Sequence, residues 1–341
     1  MRNLPDTIDN VAALEELLSR PSDALVEYFR HLDGDIMILG SGGKIGPSMA
    51  MTAQRAVKES GVSRRVIAVD LMPLDNLKKL GIETITCDML DLESVKKLPK
   101  VKNIVYMIGR KFGSDGAEWL TWAINVMVPH NVAQVFTNSR IAVFSTGCVY
   151  PVVGVYTGGS VETDRPNPIG EYAMSSLGRE RVFDYYAAEK GEKVVQIRLN
   201  YALDLRYGVL SDIATKVFNG QPVDVTTGFM NGIWQGDCNN QVLRSFDHAS
   251  SPSTVLNVTG PETLSVRWVA HRFAEIFGKT AIINGTENGR GYLNNASKAN
   301  ALFGNPSVPV GKVIEWVAQW VKDGGENIGK PTHFETQDGK Y

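Results

Sequence analysis

The stretch Asp35-Ile36-Met37-Ile38-Leu39-Gly40-Ser41-Gly42-Gly43-Lys44-Ile45-Gly46-Pro47-Ser48 decides the reading of the fold. A short apolar run ends in clustered glycines, and Pro47 then opens an amphipathic segment that continues to Glu59. This is strand, turn and helix. Backbone without Cβ atoms approaches a pyrophosphate closely, and the N-H groups that open a helix carry partial positive charge. Ile45 stands where GxGxxG demands a glycine, whereas Gly40, Gly43 and Gly46 satisfy GxxGxxG. Gly40, Gly42, Gly43, Lys44, Ile45 and Gly46 are therefore the candidate phosphate loop.

A second strand, Val66-Ile67-Ala68-Val69-Asp70, supplies the acid that such a loop needs. A carboxylate at that strand end accepts hydrogen bonds from ribose hydroxyls and repels a 2′-phosphate, so NAD is expected in preference to NADP. Arg64 and Arg65 open the same strand and lie away from the ribose. After the third strand, Asp88 and Met89 border either the adenine edge or the N-cap of the next helix.

Around these motifs the chain alternates in kind. Strands are expected at Asp35–Leu39, Val66–Val69, Glu83–Thr86, Asn103–Met107, Ile141–Phe144 and Val194–Leu199. Helices are expected near Ser48–Glu59, Leu92–Leu98, Trp119–Phe136 and Tyr172–Lys190. Near-continuous apolar strands alternating with helices predict an α/β fold with a Rossmann-type doubly wound parallel sheet. The domain reading is a helical extension over 1–33, a dinucleotide-binding domain over 34–200, a smaller α+β substrate-binding region over 201–325 interleaved with it, and a tail over 326–341. Leu14, Leu17, Leu18 and Leu25 have helical spacing in the extension, which predicts a hairpin broken at Pro21 and packed on the outside of the domain or at a subunit contact.

Composition excludes several classes. The 341 residues carry 35 Lys+Arg against 37 Asp+Glu, so no broad basic surface suits nucleic acid. No run of apolar residues is long enough to cross a membrane. Three distant cysteines make neither a disulfide framework nor a CxxC site, and five isolated histidines make no metal site, which together suggest a cytoplasmic protein.

Further motifs carry a family resemblance. The fourth strand ends in Met107-Ile108-Gly109-Arg110-Lys111, Asn125 follows within the next helix, and the fifth strand ends in Phe144-Ser145-Thr146-Gly147-Cys148-Val149-Tyr150. Later come Ile233-Trp234-Gln235-Gly236-Asp237 and Leu256-Asn257-Val258-Thr259-Gly260. With the phosphate loop, Asp70 and Asp88, these resemble the extended short-chain dehydrogenase/reductases, the NAD-dependent epimerase/dehydratase group. The resemblance spans about Asp35 to Val321. It implies an NAD-dependent sugar epimerase, dehydratase or oxidoreductase, acting by hydride transfer on a sugar, sugar acid or nucleotide sugar, and a homodimer through two helices. It also implies cofactor contacts at Gly109, Lys111, Tyr172 and Asn200, and substrate contacts at Arg110, Asn125, Cys148, Tyr201, Arg206 and Trp234. Cys148 reads as a small buried filler in preference to a nucleophile, and Asn200 and Tyr201 read equally as structural residues.

In that family a hydroxyl, a tyrosine and a lysine surround the nicotinamide. Thr146 matches the hydroxyl and Tyr172 the tyrosine. The lysine of YxxxK is missing, because Ser176 holds its position. A literal YxxxK at Tyr186…Lys190 is a decoy at the far end of the helix, roughly 21 Å away. A phenol with a pKa of about 10 is ionised to about one part in a thousand at pH 7, so Tyr172 is expected to serve better as a neutral donor than as a resting base. Lys111 is a partial substitute for the lysine, and Arg179, seven residues beyond Tyr172, is either a further source of positive charge or a surface salt bridge. The absent lysine also leaves room for a second reading, a regulatory NAD-binding protein with little or no turnover.

Overall fold

The computed structural model describes residues 4–111, 113, 116–330 and 332–339. Seven strands make the central sheet: β1 (Ile36–Leu39), β2 (Val66–Asp70), β3 (Glu83–Thr86), β4 (Asn103–Tyr106), β5 (Arg140–Thr146), β6 (Lys193–Leu199) and β7 (Thr254–Val258). Their order is β7-β6-β5-β4-β1-β2-β3, and every pairing is parallel. Apart from the edge strand β3, whose Glu83 and Thr86 are exposed, the strands alternate between two covered faces, which explains their largely apolar runs. On one face Ile36, Ile38, Ala68, Val105 and Ala142 pack beneath α2 (Asp23–His31) and α3 (Gly46–Ser60). The opposite face sends Met37, Leu39, Val69, Ile104 and Val143 against α7 (Val128–Val135) and α8 (Gly170–Lys190).

Helix α3 begins with Pro47 in its first turn and stops at Gly61, whose φ of 73° suits a residue without Cβ. The long helix expected over Trp119–Phe136 is instead α6 (Glu118–Trp122), a π turn over Ala123–Met127, and then α7. Pro129 is the physical reason. Its ring removes the N-H that would bond to the carbonyl of residue 125, and the ladder widens so that Val128 donates to Ala123 five residues back. Asn125 sits in that bulge, fully buried.

The N-terminal segment departs from the expected outer hairpin. It does break at Pro21, into α1 (Val11–Leu18) and α2. Leu25 and Phe29 of α2, however, belong to the sheet core, while Leu14, Leu17 and Leu18 of α1 join the core of the C-terminal region. Four completely buried large side chains (Leu14, Leu18, Leu25, Phe29) are too many for a surface ornament. The segment ties two cores together.

The C-terminal core forms around α9 (Val209–Phe218), α11 (Val266–Phe277) and α13 (Val310–Lys322), with Phe273 and Trp316 at its centre. Beyond α13 the chain turns back across the molecule. Ile328 N-H donates to the Arg206 carbonyl, Thr332 donates through N-H and hydroxyl to Asp212, and Gln337 donates to Thr227. No helix among the described residues is long and apolar enough to cross a membrane.

Candidate active site

A cavity of about 460 Å³ opens at the C-terminal ends of β1, β4, β5 and β6. The strand order reverses between β1 and β4, and a crevice forms where connections leave in opposite directions. Gly40, Gly43, Lys44, Ile45 and Gly46 form one wall, and Gly109, Lys111, Thr146, Cys148 and Tyr172 the next. Asn200, Tyr201 and Tyr207 face them, and Lys330 and Thr332 arrive from the returning tail.

The glycine loop is shaped by close approach. Gly40 has φ of 89° and donates to the Val69 carbonyl at 2.9 Å. A Cβ on Gly46 would lie inside the backbone of Ser41, and one on Gly42 would meet the Asp70 carboxylate at 2.9 Å. No side chain caps the first turn of α3, so its N-H groups are left for a ligand. Asp70 accepts from Gly42 N-H at 2.8 Å and from Met72 N-H at 3.2 Å, which places one carboxylate at the lip of the loop. These residues fit a dinucleotide: an uncapped helix end for phosphates, glycines where side chains would intrude, and a fixed acid for the ribose. Arg65 pairs with Asp35 at the other end of the strand, as expected. Gly46→Ala should lower NAD affinity roughly tenfold or more, since overpacking costs about 1–3 kcal/mol. Calorimetric titration with NAD+ checks this.

The reacting corner is built from β5 and α8. Thr146 ends β5 and its hydroxyl accepts the Cys148 N-H at 3.2 Å. Burial pushes the Tyr172 phenol up, negative charge at Cys148 adds to the rise, and the Thr146 hydroxyl, Arg179 guanidinium and Ser176 hydroxyl pull the other way. Burial is the larger influence, so Tyr172 rests as a neutral phenol. Lys111 places Nζ 5.7 Å from the Tyr172 ring centroid and 3.4 Å from the Thr332 carbonyl. Lys44 lies over the Tyr207 ring, 3.1 Å from its centroid. Burial, then the ammonium groups of Lys111 and Lys330, bring Lys44 down to about 7.

Several sequence expectations need correction. Arg206 does not reach this cavity, because it is held by Asp204 at 2.9 Å and by Glu15 at 3.5 Å. Trp234 lines a separate cavity beside Leu17 and Asp237. Asn125 and Arg110 lie behind the wall: Asn125 accepts from the Arg110 N-H and donates to its carbonyl, and the Arg110 side chain turns to the Gly113 carbonyl. Asp88 caps no helix. It accepts from Leu90 N-H in a local turn, and Asp91 is the cap of the helix Leu92–Lys96. Met89 is buried in the sheet core.

Asn200 lines the cavity but also donates to Asn231 and to the Tyr292 carbonyl, so it braces that wall. The decoy motif does stand apart, since Tyr186 hydroxyl contacts His130 and Lys190 closes the helix beside Gly191. Arg179 is no surface residue. It is 5% exposed and donates to the Phe144 carbonyl at 2.7 Å and the Asn125 side chain at 2.8 Å. Its seven-residue spacing from Tyr172 was a usable signal. Lys330, Thr332 and Tyr207 gave none, because irregular chain brings them in.

The model of the NAD dependent epimerase/dehydratase family matches residues 36–208, half of the chain and the whole of the strand-and-loop frame just described. The chain belongs to the NAD-dependent epimerase/dehydratase family. A curated relative, the L-arabinose 1-dehydrogenase (NAD(P)(+)) of Haloferax volcanii, is 21% identical over 205 residues, covering 55% of this chain and 77% of its own. Among solved structures, DesIV, the dTDP-glucose 4,6-dehydratase of Streptomyces venezuelae, aligns with a TM-score of 0.72 at 16% identity, over 85% of this chain and 97% of its own. UDP-glucose 4-epimerase of Thermotoga maritima aligns with a TM-score of 0.70 at 17% identity, over 85% and 99%. At such identities these family structures share the fold.

Proposed function

We propose that this member of the family is an NAD-dependent enzyme acting on a hydroxyl-bearing carbon of a sugar, sugar acid or nucleotide sugar. The observation that carries the reading is that Thr146 and Tyr172 line the same cavity as the phosphate loop. NAD supplies the acceptor for the hydride that leaves the carbon. Thr146 fixes the substrate oxygen, and Tyr172 takes the proton from that oxygen or returns it in the opposite direction. Asp70 would hold the ribose, and the Gly40–Gly46 loop the phosphates. Relatives that act on L-arabinose, UDP-glucose and dTDP-glucose support a sugar-type substrate. The test is NAD+ binding by calorimetry, followed by a panel of L-arabinose, UDP-glucose and dTDP-glucose read for NADH and for sugar products by chromatography. No NAD+ binding would remove the reading.

Ser176 in place of lysine is what favours the second reading, a regulatory NAD-binding protein. If Ser176→Lys creates hydride transfer that the native chain lacks, at unchanged NAD affinity, the regulatory reading is the better one.

Lys44 is proposed to face the cofactor phosphates, with a consequence for pH. A lysine near 7 is largely neutral at about pH 8, and a phosphate beside it favours the ammonium. NAD+ binding at about pH 8 should therefore take up a proton, and below about pH 6 it should not. Calorimetry in two buffers of different ionisation enthalpy measures the uptake, which Lys44→Met abolishes.

A homodimer through α6 and α8 is also proposed. Trp119 is 71% exposed, Met127 58% and Tyr185 53%, on helices that pack together. Trp119→Glu should convert the dimer to monomer by light scattering.

A further inference from the structure

We infer that Arg179 is a positioning residue that does, from two helical turns away, the electrostatic work of the lysine missing at Ser176. It keeps a fixed positive charge behind Tyr172, where negative charge develops when the phenol gives up its proton. The inference rests on the proton-transfer reading of Tyr172.

Four observations support it. Seven residues advance the helix by nearly two full turns, so Arg179 returns to the face of α8 that carries Tyr172. Long helical side chains lean toward the N-terminus, and Arg179 accordingly reaches back toward the cavity. Its destination is the cavity wall. Nη2 lies 2.5 Å from where a Cβ on Gly109 would stand, and Nη1 bonds to Phe144 O; both Gly109 and Phe144 line the cavity. Gly109 is the residue that leaves room for the guanidinium.

The third observation is the absence of a counter-ion. Among the described residues no carboxylate lies within ion-pair distance of Arg179, although it is 5% exposed. Its two acceptors, the Phe144 carbonyl and the Asn125 amide oxygen, are neutral, as is the Tyr106 ring, whose centroid lies 5.8 Å from the guanidinium carbon. The adjacent Glu180 is engaged by Arg198 and Ser145. Burying a guanidinium against neutral acceptors alone is unfavourable for stability, because desolvation of the charge is only partly offset. A charge kept in that condition is available to the negative charge formed during reaction.

The fourth concerns Ser176 itself. Its side chain is fully buried, and its hydroxyl, unlike an ammonium, brings no positive charge to the Tyr172 phenol. A buried phenol needs a cation nearby to lose a proton near neutral pH. The short hydroxyl leaves the corner without a cation from that position; Lys111 Nζ faces the Tyr172 ring at 5.7 Å from its centroid, and the guanidinium one turn beyond Ser176 supplies fixed charge from the α8 side. Arg179 does pull the Tyr172 phenol down against the rise that burial causes.

The test uses the full chain saturated with NAD+ and needs no substrate. Tyrosine labelled with carbon-13 at Cζ reports ionisation by NMR, and loss of one resonance in Tyr172→Phe assigns Tyr172. Arg179→Met should raise the Tyr172 midpoint by about 1–3 units, and Ser176→Lys combined with Arg179→Met should restore at least half of that shift. Arg179→Gln keeps an amide donor for Phe144 O and should show the same rise if the methionine variant folds poorly. A folded Arg179→Met or Arg179→Gln whose Tyr172 titrates as in the native chain overturns the inference. Failure of both to fold overturns it too, by making Arg179 an anchor. Unchanged turnover in Tyr172→Phe counts instead against the functional reading, so the two failures are distinguishable.

Discussion

Tyr172→Phe should lower hydride transfer by about 10²–10⁴-fold while NAD+ still binds and the chain stays folded, with a stability loss of about 1–3 kcal/mol at most. The phenol hydroxyl is the only part removed, and the ring keeps its contacts with Cys148, Ala173 and Tyr292. The phosphate loop and Asp70 are left intact, so most of the cofactor binding is kept. The pH dependence has a definite sign. Because burial raises the phenol, the fraction able to accept a proton grows as pH rises through the neutral range. Oxidation of an alcohol should accelerate with pH in the native protein and lose that slope in the variant. Single-turnover NADH formation with any sugar that reacts measures both, and equal rates in the two proteins would exclude Tyr172 as the proton-transfer group.

The largest stability loss should follow Glu180→Ala. Glu180 receives Arg198 through two bonds, at 2.7 and 2.9 Å, and the Ser145 hydroxyl at 2.5 Å. Side-chain exposures are 4% for Arg198 and 1% for Glu180. Burial opposes the charge on Arg198, but Glu180 holds it above its ordinary value, and the Tyr150 hydroxyl contributes. Removing the carboxylate strands a guanidinium between β5, β6 and α8. Breaking such a pair from one side costs about 3–5 kcal/mol. Chemical denaturation should show that loss, and joint replacement of Glu180 and Arg198 by apolar residues should recover much of it. A loss below about 1 kcal/mol would mean that the pair is solvated.

The sheet and phosphate loop were legible because both rest on local rules. Four-residue apolar runs and glycine spacing report what neighbouring residues do. Asp70 was legible for the same reason, since it ends a strand whose partner strand ends in the loop. Arg206 and Arg179 both sit differently from their sequence readings, because long cationic side chains take whichever partners the fold brings within reach. Asp204, two residues away, captures Arg206, whereas among the described residues no acid pairs with Arg179. The π turn hid behind an ordinary helical pattern, and Pro129 was its single mark. Lys330 and Thr332 come from a tail without periodicity, and its tertiary bonds to Arg206, Asp212 and Thr227 show where it goes.

One feature of the sheet sets a limit on dissection. The family match stops at residue 208, but β7, over Thr254–Val258, lies beyond it and pairs along β6. A fragment ending near residue 208 would leave β6 as a bare margin, with Val195 and Ile197 beside unpaired backbone groups. An exposed apolar edge recruits other chains. Such a fragment should form aggregates, so the smallest soluble piece of this protein is larger than the piece that defines its family.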